Sequence, residues 1–194
     1  EIRLSLVGSE MCIRDRAAQQ GLDERLRSVT GLTGGQAALM MKRLQAGKCL
    51  AGNLLGKAEV YALATAECNG CMGKIVAAPT AGACGILPGA VLAMMEEKGT
   101  TEEQAVDALF VAAAVGQAIA TQASISGAEG GCQAEVGAAR AMAASMSGTR
   151  TTALQSASDL RTMSARGRVA DWRSSSAMMA WARASLSVMQ MAEA

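Results

Sequence analysis

Helix start and stop signals recur along this chain and restrict the folds open to it. Thr33 and Gln36 have the spacing of a capping box, and Gly47 stands where the helix that follows would end. Pro88 suits the first turn of another helix, which stops at Gly99. The apolar residues between such signals are mainly Ala, Leu and Met, and only 2% of the chain is aromatic. Because strands draw on aromatic and β-branched residues, we predict an all-α fold.

These signals also place the individual helices. We predict helices at about 17–27, 34–46, 54–67, 88–98, 101–121 and 135–146, the fifth started by a capping box of Thr100 and Glu103. The run from Ala108 to Val115 is apolar on nearly every face and is predicted to be buried. Residues 67–85 are dense in Gly and Pro, which predicts a long functional loop.

The length of 194 residues fits one domain, and both ends differ from it. Residues 1–16 (EIRLSLVGSEMCIRDR) resemble translated sequencing adapter, so we predict a disordered artefact there; a frayed N-terminal arm is the alternative. Lysine is absent from residues 149–194, and Arg and Ser accumulate. That tail is interpreted as a basic interaction segment, a poorly ordered terminus or, the reading we favour, a frame-shifted translation.

Charge and residue usage exclude several classes of function. A net charge of +1 gives no case for nucleic acid, and the apolar run 108–120 is shorter than a membrane-spanning helix. Six irregularly spaced cysteines favour a reducing cytoplasm over a disulfide framework. The chain contains no His, which removes Ser–His and Cys–His catalytic pairs.

The stretch 124–133 (SISGAEGGCQ) carries the most chemistry. It combines three glycines, two hydroxyls, a carboxylate and the thiol of Cys132. Thr80 and Gly82 form a second hydroxyl–glycine loop with Pro79, and two such loops converging would make a cradle for a carboxylate. The alternative is an ordinary Gly-rich turn between helices with a buried thiol. For Cys68-x-x-Cys71, a redox pair or half of a zinc site competes with two small packed side chains, which we favour.

Segments 28–35 (SVTGLTGG), 78–82 (APTAG), 85–88 (GILP) and above all 123–137 (ASISGAEGGCQAEVG) carry a family resemblance. They are similar to the iron–sulfur-dependent L-serine dehydratases, alpha subunit or catalytic domain. The resemblance runs from about Ser28 to Gly148. It implies that residues 17–148 are a truncated, all-helical catalytic domain of that cytoplasmic family. Its members convert L-serine to pyruvate and ammonium with a 4Fe-4S cluster.

The resemblance implies roles for particular residues. Three thiolates would hold the cluster, with Cys132 at the first ligand position, and one open iron would act on the C3 hydroxyl of serine. The positions implied to line the L-serine pocket are Thr80, Gly82, Ser124, Ser126 and Gly127. The base that removes the Cα proton is left between Glu135 and Glu129, which are candidates by nearness in sequence. Both a separate beta subunit and a homo-oligomer remain open.

The chain departs from the family pattern downstream. The segments Cys-Asp-Pro-Val and Glu-Val-Pro-Cys, which supply the family's other two cluster cysteines, do not occur. We hypothesise a frameshift near residues 158–163 and expect the chain as written to be inactive, because one thiolate cannot hold a cubane. Two alternatives are a related iron–sulfur lyase acting on cysteine or another β-substituted amino acid, and a non-catalytic all-α interaction domain.

Overall fold

Six α-helices make up the part of the chain that the computed structural model describes, residues 2–147. They are α1 (Ile2–Gly21), α2 (Gln36–Gln45), α3 (Gly52–Gly70), α4 (Ile86–Lys98), α5 (Glu102–Ala120) and α6 (Gly127–Ser147). No strand occurs within residues 2–147, and the prediction of an all-α fold is confirmed. The predicted tail, residues 149–194, lies outside the described residues.

Helix α3 is the central element of the fold. It packs most extensively against α4 and also against α1 and α2, while α5 packs mainly on α6. The approach of α4 to α3 is very close at two glycines. A Cβ at Gly85 would lie 2.2 Å from the carbonyl oxygen of Ala62, and one at Gly89 would lie 2.5 Å from that of Ala58. Small residues therefore allow this pair of helices to pack almost backbone to backbone.

Helices α4, α5 and α6 share the main apolar core. It includes Leu87, Val91, Leu109, Val115 and Met142, each at most 6% exposed. Burial of such side chains, at roughly 25 cal/mol per Å² of apolar surface, is the main term that holds the three helices together.

One face of α5 remains exposed, so the predicted burial of the whole run 108–115 is wrong for that face. Leu109, Ala112 and Val115 are buried, whereas Ala113 and Ala114 are exposed. In the described part of the chain, α5 alone is long and apolar enough to cross a membrane. The core helix of a soluble protein meets the same criterion, so the length and composition of α5 do not assign it to a membrane.

The predicted capping boxes are corrected by the structure. At α5 the box is formed by Thr101 and Gln104, one residue later than predicted, and both of its reciprocal hydrogen bonds are present. At α2 the helix begins after Gly35, and Gln36 accepts a hydrogen bond from the N–H of Gly34 instead of that of Thr33. A side chain from another helix supplies the acceptor for α2, as described below.

Residues 2–16 form most of α1 instead of the predicted disordered segment. Met11 belongs to the main core, and Ala17 and Ala18, about two helical turns further on, are at most 1% exposed. Helix α1 packs along α3, where a Cβ at Gly21 would lie 1.9 Å from the carbonyl oxygen of Ala64. Helix α1 thus runs without interruption from residues 2–16 into the part that packs on α3. A helical backbone does not test whether residues 1–16 derive from a sequencing adapter.

Candidate active site

The loop between α3 and α4 carries the first group of predicted site residues. Helix α3 continues to Gly70, so the loop covers residues 71–85 and is shorter than the predicted 67–85. The peptide bond between Ala78 and Pro79 is cis and directly precedes Thr80. The side-chain amide of Asn69 donates a hydrogen bond to the carbonyl oxygen of Ala81, 3.1 Å away. The end of α3 is thus joined to the centre of this loop.

The carboxylate of Glu135, on α6, is where the two predicted loops meet. The hydroxyl of Thr80 donates a short hydrogen bond to Oε1 of Glu135, across 55 residues of sequence. Both side chains are partly buried, so neither is fully solvated and neither is sealed from a ligand. A carboxylate held in this way is restricted in orientation and keeps a second oxygen for proton transfer.

Two glycines leave the space that Glu135 occupies. A Cβ at Gly82 would lie 2.6 Å from Oε1 of Glu135, and a Cβ at Gly127 would lie 2.7 Å from Oε2. Neither distance is one that real Cβ atoms show, so any larger residue there would displace the carboxylate. The structure therefore brings four predicted residues together: Thr80, Gly82, Gly127 and Glu135.

The serines of the central stretch form a separate but adjoining turn. The hydroxyl of Ser124 donates to Oε2 of Glu129 at 2.7 Å, and the N–H of Ser126 donates to the Ser124 hydroxyl at 3.2 Å. The Ser126 hydroxyl accepts from the N–H of Ala128 at 3.2 Å and so caps the first turn of α6. Glu129 is exposed and bonds within this turn, whereas Glu135 bonds to another loop.

Gly131 breaks α6 into a single turn and a long helix. Its φ of 73° and ψ of 175° are not helical, although helix lies on both sides. The central stretch is therefore more helical than a Gly-rich loop, with the interruption at the second of its paired glycines. Cys132 follows directly and is exposed. Cys132 and Glu135 are three residues apart on the helix that follows, which puts them on the same face.

The other cysteines do not join Cys132 in a metal site. Cys68 and Cys84 are buried, and burial raises the pKa of both thiols, with smaller contributions from Cys71 and Cys68 respectively. Within residues 2–147 no group of three or more Cys, Asp or Glu side chains comes together in metal-binding geometry. The described residues therefore do not fit a cluster held by three thiolates, and Cys132 is the single predicted ligand among them.

A cavity of about 340 Å³ adjoins this region on the apolar side. It lies among the loop at 76–79, α5 and α6, and Pro79 and Ile125 line it beside the two predicted loops. None of the predicted site residues lines the cavity. It therefore provides an apolar flank to the site instead of the polar binding surface itself.

Two polar residues on the last turns of α3 were missed by the sequence analysis. Glu67 is 5% exposed and accepts hydrogen bonds from the N–H groups of Gly35, Gln36 and Ala37, at 2.9, 2.9 and 3.4 Å. Asn69 holds Ala81, as described above. Neither partner lies near in sequence, so no local pattern announces either residue. Because Glu67 caps α2 from a different helix, it replaces the capping box predicted at Thr33.

A second polar network was also missed, on the seam between α3 and α4. Nζ of Lys57 lies 2.8 Å from Glu96 and 2.6 Å from Glu97, and the hydroxyl of Tyr61 donates to Glu96. The hydrogen bonds that Lys57 donates to the two glutamates raise its pKa. The pKa of Tyr61 is raised first by burial and then by the hydrogen bond that it donates to Glu96. Burial alone would raise the pKa of Glu96, but its bonds to Lys57 and Tyr61 lower it overall.

Comparison with known proteins agrees with the family resemblance. Residues 9–165 match the family described as serine dehydratase alpha chain, so the chain belongs to that family. The match is wider than the segment from Ser28 to Gly148 and ends shortly after the region where the frameshift is placed. The frameshift itself lies outside the described residues and stays a hypothesis. No solved structure matches the chain.

Three relatives illustrate the match. The "Probable L-serine dehydratase, alpha chain" of Bacillus subtilis (strain 168) is 48% identical over 134 residues, 69% of this chain and 44% of the relative. The "L-serine dehydratase, alpha chain" of Peptoniphilus asaccharolyticus is 44% identical over 117 residues, 58% of this chain and 40% of the relative. The "L-serine dehydratase" of Helicobacter pylori is 42% identical over 93 residues, 47% and 20%. The chain thus spans less than half the length of these relatives.

Proposed function

We propose that the chain is part of a cytoplasmic L-serine ammonia-lyase, with Glu135 as the base that removes the Cα proton. One observation carries this assignment: Thr80, Gly82 and Gly127, from two separate loops, meet at the Glu135 carboxylate. The relatives named above as L-serine dehydratases support the substrate and the type of reaction. Glu129, the other candidate base, is exposed and bonds to Ser124 within its own turn.

The reaction balances as an elimination followed by hydrolysis. L-serine loses its Cα proton and its C3 hydroxide, which combine to one water and leave 2-aminoacrylate. This enamine tautomerises to an imine, and water then splits the imine into pyruvate and ammonium. Glu135 takes the Cα proton, and the Thr80 hydroxyl holds the carboxylate in one orientation while it does so.

The hydroxyl-bearing turn at 124–127 suits the carboxylate of the substrate. In this proposal the substrate carboxylate takes over donors that now bond within the turn, the Ser124 hydroxyl to Glu129 and the Ser126 N–H to Ser124. Gly127 places the turn directly against Glu135. A serine carboxylate bound there would lie close to the base that acts on its Cα. In this proposal the substrate is oriented by the pocket residues Ser124, Ser126 and Gly127. The Glu135 carboxylate is held by Thr80 and has the space left by Gly82.

The proposal includes a 4Fe-4S cluster only with thiolates that this chain lacks, because all six of its cysteines lie within residues 2–147. Cys132 would supply the first ligand, on the same helical face as Glu135. Residues 2–147 do not form a site of three thiolates. The roles proposed for Glu135, Thr80 and the turn at 124–127 are therefore argued without the cluster. A beta subunit or a second copy of the chain is the further partner that the proposal leaves room for.

The test uses a repaired chain, in which the residues after 158 are replaced by the downstream segment of the Bacillus subtilis relative. After anaerobic reconstitution with iron and sulfide, we expect cluster absorbance and pyruvate release from L-serine. Cys132→Ala should remove both, whereas Cys71→Ala, at a half-buried cysteine outside the site, should remove neither.

The outcomes separate the candidate functions. Faster pyruvate release from L-cysteine than from L-serine would favour the related lyase. A folded repaired chain that binds no iron and releases no pyruvate from either amino acid would contradict the lyase assignment and favour the non-catalytic domain.

A further inference from the structure

Asn69 is the side chain of α3 that reaches the loop carrying Thr80. Its amide nitrogen donates to the carbonyl oxygen of Ala81 at 3.1 Å, across 12 residues of sequence. Ala81 lies between Thr80, which bonds to Glu135, and Gly82, which leaves space for the same carboxylate. A shift of the Ala81 carbonyl would therefore move both neighbours relative to Glu135.

The turn of α3 that carries Asn69 is itself firmly held. Two residues earlier, Glu67 is fixed by the three N–H groups at the start of α2. Immediately before Asn69, Cys68 is fully buried, and its carbonyl accepts the N–H of Gly73 at 2.8 Å. A Cβ at Gly70 would be 3.7 Å from the Thr33 hydroxyl, so the loop before α2 also packs here. Asn69 thus projects from a rigid frame.

We propose that Asn69 is a positioning residue for the site around Glu135: it fixes the Ala81 carbonyl and so holds Thr80 against the base. The inference rests on the proposed function for its catalytic meaning. Its structural content, that Thr80 stays on Glu135 only while Asn69 holds the loop, can be tested without catalysis. Asn69 acts through the loop and makes none of its described hydrogen bonds with Glu135.

The first test follows the methyl resonance of Thr80 by NMR in the 194-residue chain. Glu135→Gln changes the partner of the Thr80 hydroxyl and should shift this resonance in an otherwise wild-type background. In an Asn69→Asp background the same change should shift it little, because a carboxylate facing the Ala81 carbonyl repels it and releases Thr80. Asn53→Asp, at an exposed asparagine at the start of α3, is the matched control and should leave the full shift.

Asn69→Ala removes the donor without adding charge and serves if Asn69→Asp does not fold. If Glu135→Gln shifts the Thr80 methyl resonance in a folded Asn69 variant as much as in the wild-type background, the inference is overturned, with or without catalytic activity. This readout does not depend on the reaction, so it stays informative if the proposed function fails.

The second test measures kinetics in the repaired chain. A misplacement of about 1 Å can cost a factor of about 100, so we expect kcat/KM for L-serine to fall about 100-fold in Asn69→Asp. The iron content and the melting temperature should stay near those of the Asn53→Asp control. Unchanged kcat/KM would overturn the positioning role, and a repaired wild-type chain without activity would instead count against the proposed function.

Discussion

The space around Glu135 is set by residues that lack side chains. Gly82 does not adopt a left-handed backbone, so an alanine there would not strain the chain, but its Cβ would press on the Glu135 carboxylate. The carboxylate would have to leave Thr80. Geometry at the level of single atoms therefore links a glycine to the proposed base.

Gly82→Ala is expected to lower kcat/KM of the repaired chain by about 10- to 100-fold, because the base is displaced. The free energy of unfolding should change by no more than about 0.5 kcal/mol, as for other exposed positions. Pyruvate release and thermal unfolding measure the two effects. Gly137→Ala, where a Cβ would meet nothing within 4 Å, is the control, and equal activity of the two variants would contradict the account.

The cysteines differ sharply in their expected reactivity. Cys132 is exposed, whereas burial raises the pKa of Cys68 and Cys84 and keeps these thiols protonated. Since the thiolate is the nucleophile, iodoacetamide should label Cys132 in the folded chain and label Cys68 and Cys84 only after unfolding. Mass spectrometry of the peptides reads this out, with Cys132→Ser as control. Labelling of Cys84 at the rate of Cys132 would contradict the burial of the loop that precedes α4.

The sequence could predict some site residues and not others for a physical reason. Thr80, Gly82, Gly127 and Glu135 lie in motifs whose residues are characteristic of a family, and the structure brings them together. Glu67 and Asn69 act on loops 30 or more and 12 residues away, respectively. A lone polar residue near a helix end has no local signature of such contacts, so only the fold reveals them.

At the scale of elements, the interruption of α6 places Cys132 at the start of the long helix. Gly131 has φ 73° and ψ 175°, a region that is essentially restricted to glycine and costs other residues roughly 1–3 kcal/mol. The boundaries of α2 to α5 could be predicted to within three residues from caps and glycines, whereas α1 and α6 begin well before the predicted residues 17 and 135. The break inside α6 could not be predicted, because Gly130 and Gly131 are adjacent and identical in sequence, and only the structure shows which of them leaves the helical angles.

Gly131→Ala is expected to lower the free energy of unfolding by about 1–3 kcal/mol, since a Cβ there meets no neighbour and the cost is purely conformational. Gly137→Ala, in the regular part of the same helix, should raise it by about 0.5–1 kcal/mol. Urea unfolding of both variants provides the comparison. A Gly131→Ala variant as stable as Gly137→Ala would mean that the helix is continuous.

The polar network between α3 and α4 predicts a pH dependence of stability. The folded pKa of Glu96 lies below its ordinary value of 4.5, so its contribution is present above that value and is lost as pH falls through the folded pKa. The melting temperature of the wild-type chain should therefore drop more between pH 6 and acidic pH than that of Glu96→Gln. Glu103→Gln, at an exposed position on α5, should behave like the wild type. Parallel melting curves for the wild-type chain and Glu96→Gln would contradict the role of the network.

At the scale of the whole molecule, the chain matches only part of the length of its relatives. It spans less than half the length of the relatives named above, and the outer face of α5 is exposed at Ala113 and Ala114. The described helices position Glu135, the proposed base, and the loops around it, while a cluster of three thiolates would need cysteines that this chain lacks. The all-α class was predictable from residue usage, but the exposed face of α5 depends on which neighbours the helix meets.

The measurement that tests the central claim most directly compares two glutamates in the repaired, reconstituted chain. Glu135→Gln should lower the rate of pyruvate release from L-serine by about 100-fold or more, as expected for loss of a general base. Glu129→Gln, at the exposed glutamate that bonds to Ser124, should leave the rate within a few-fold of the wild type. The opposite pattern, with activity lost at Glu129 and kept at Glu135, would contradict the assignment of the base.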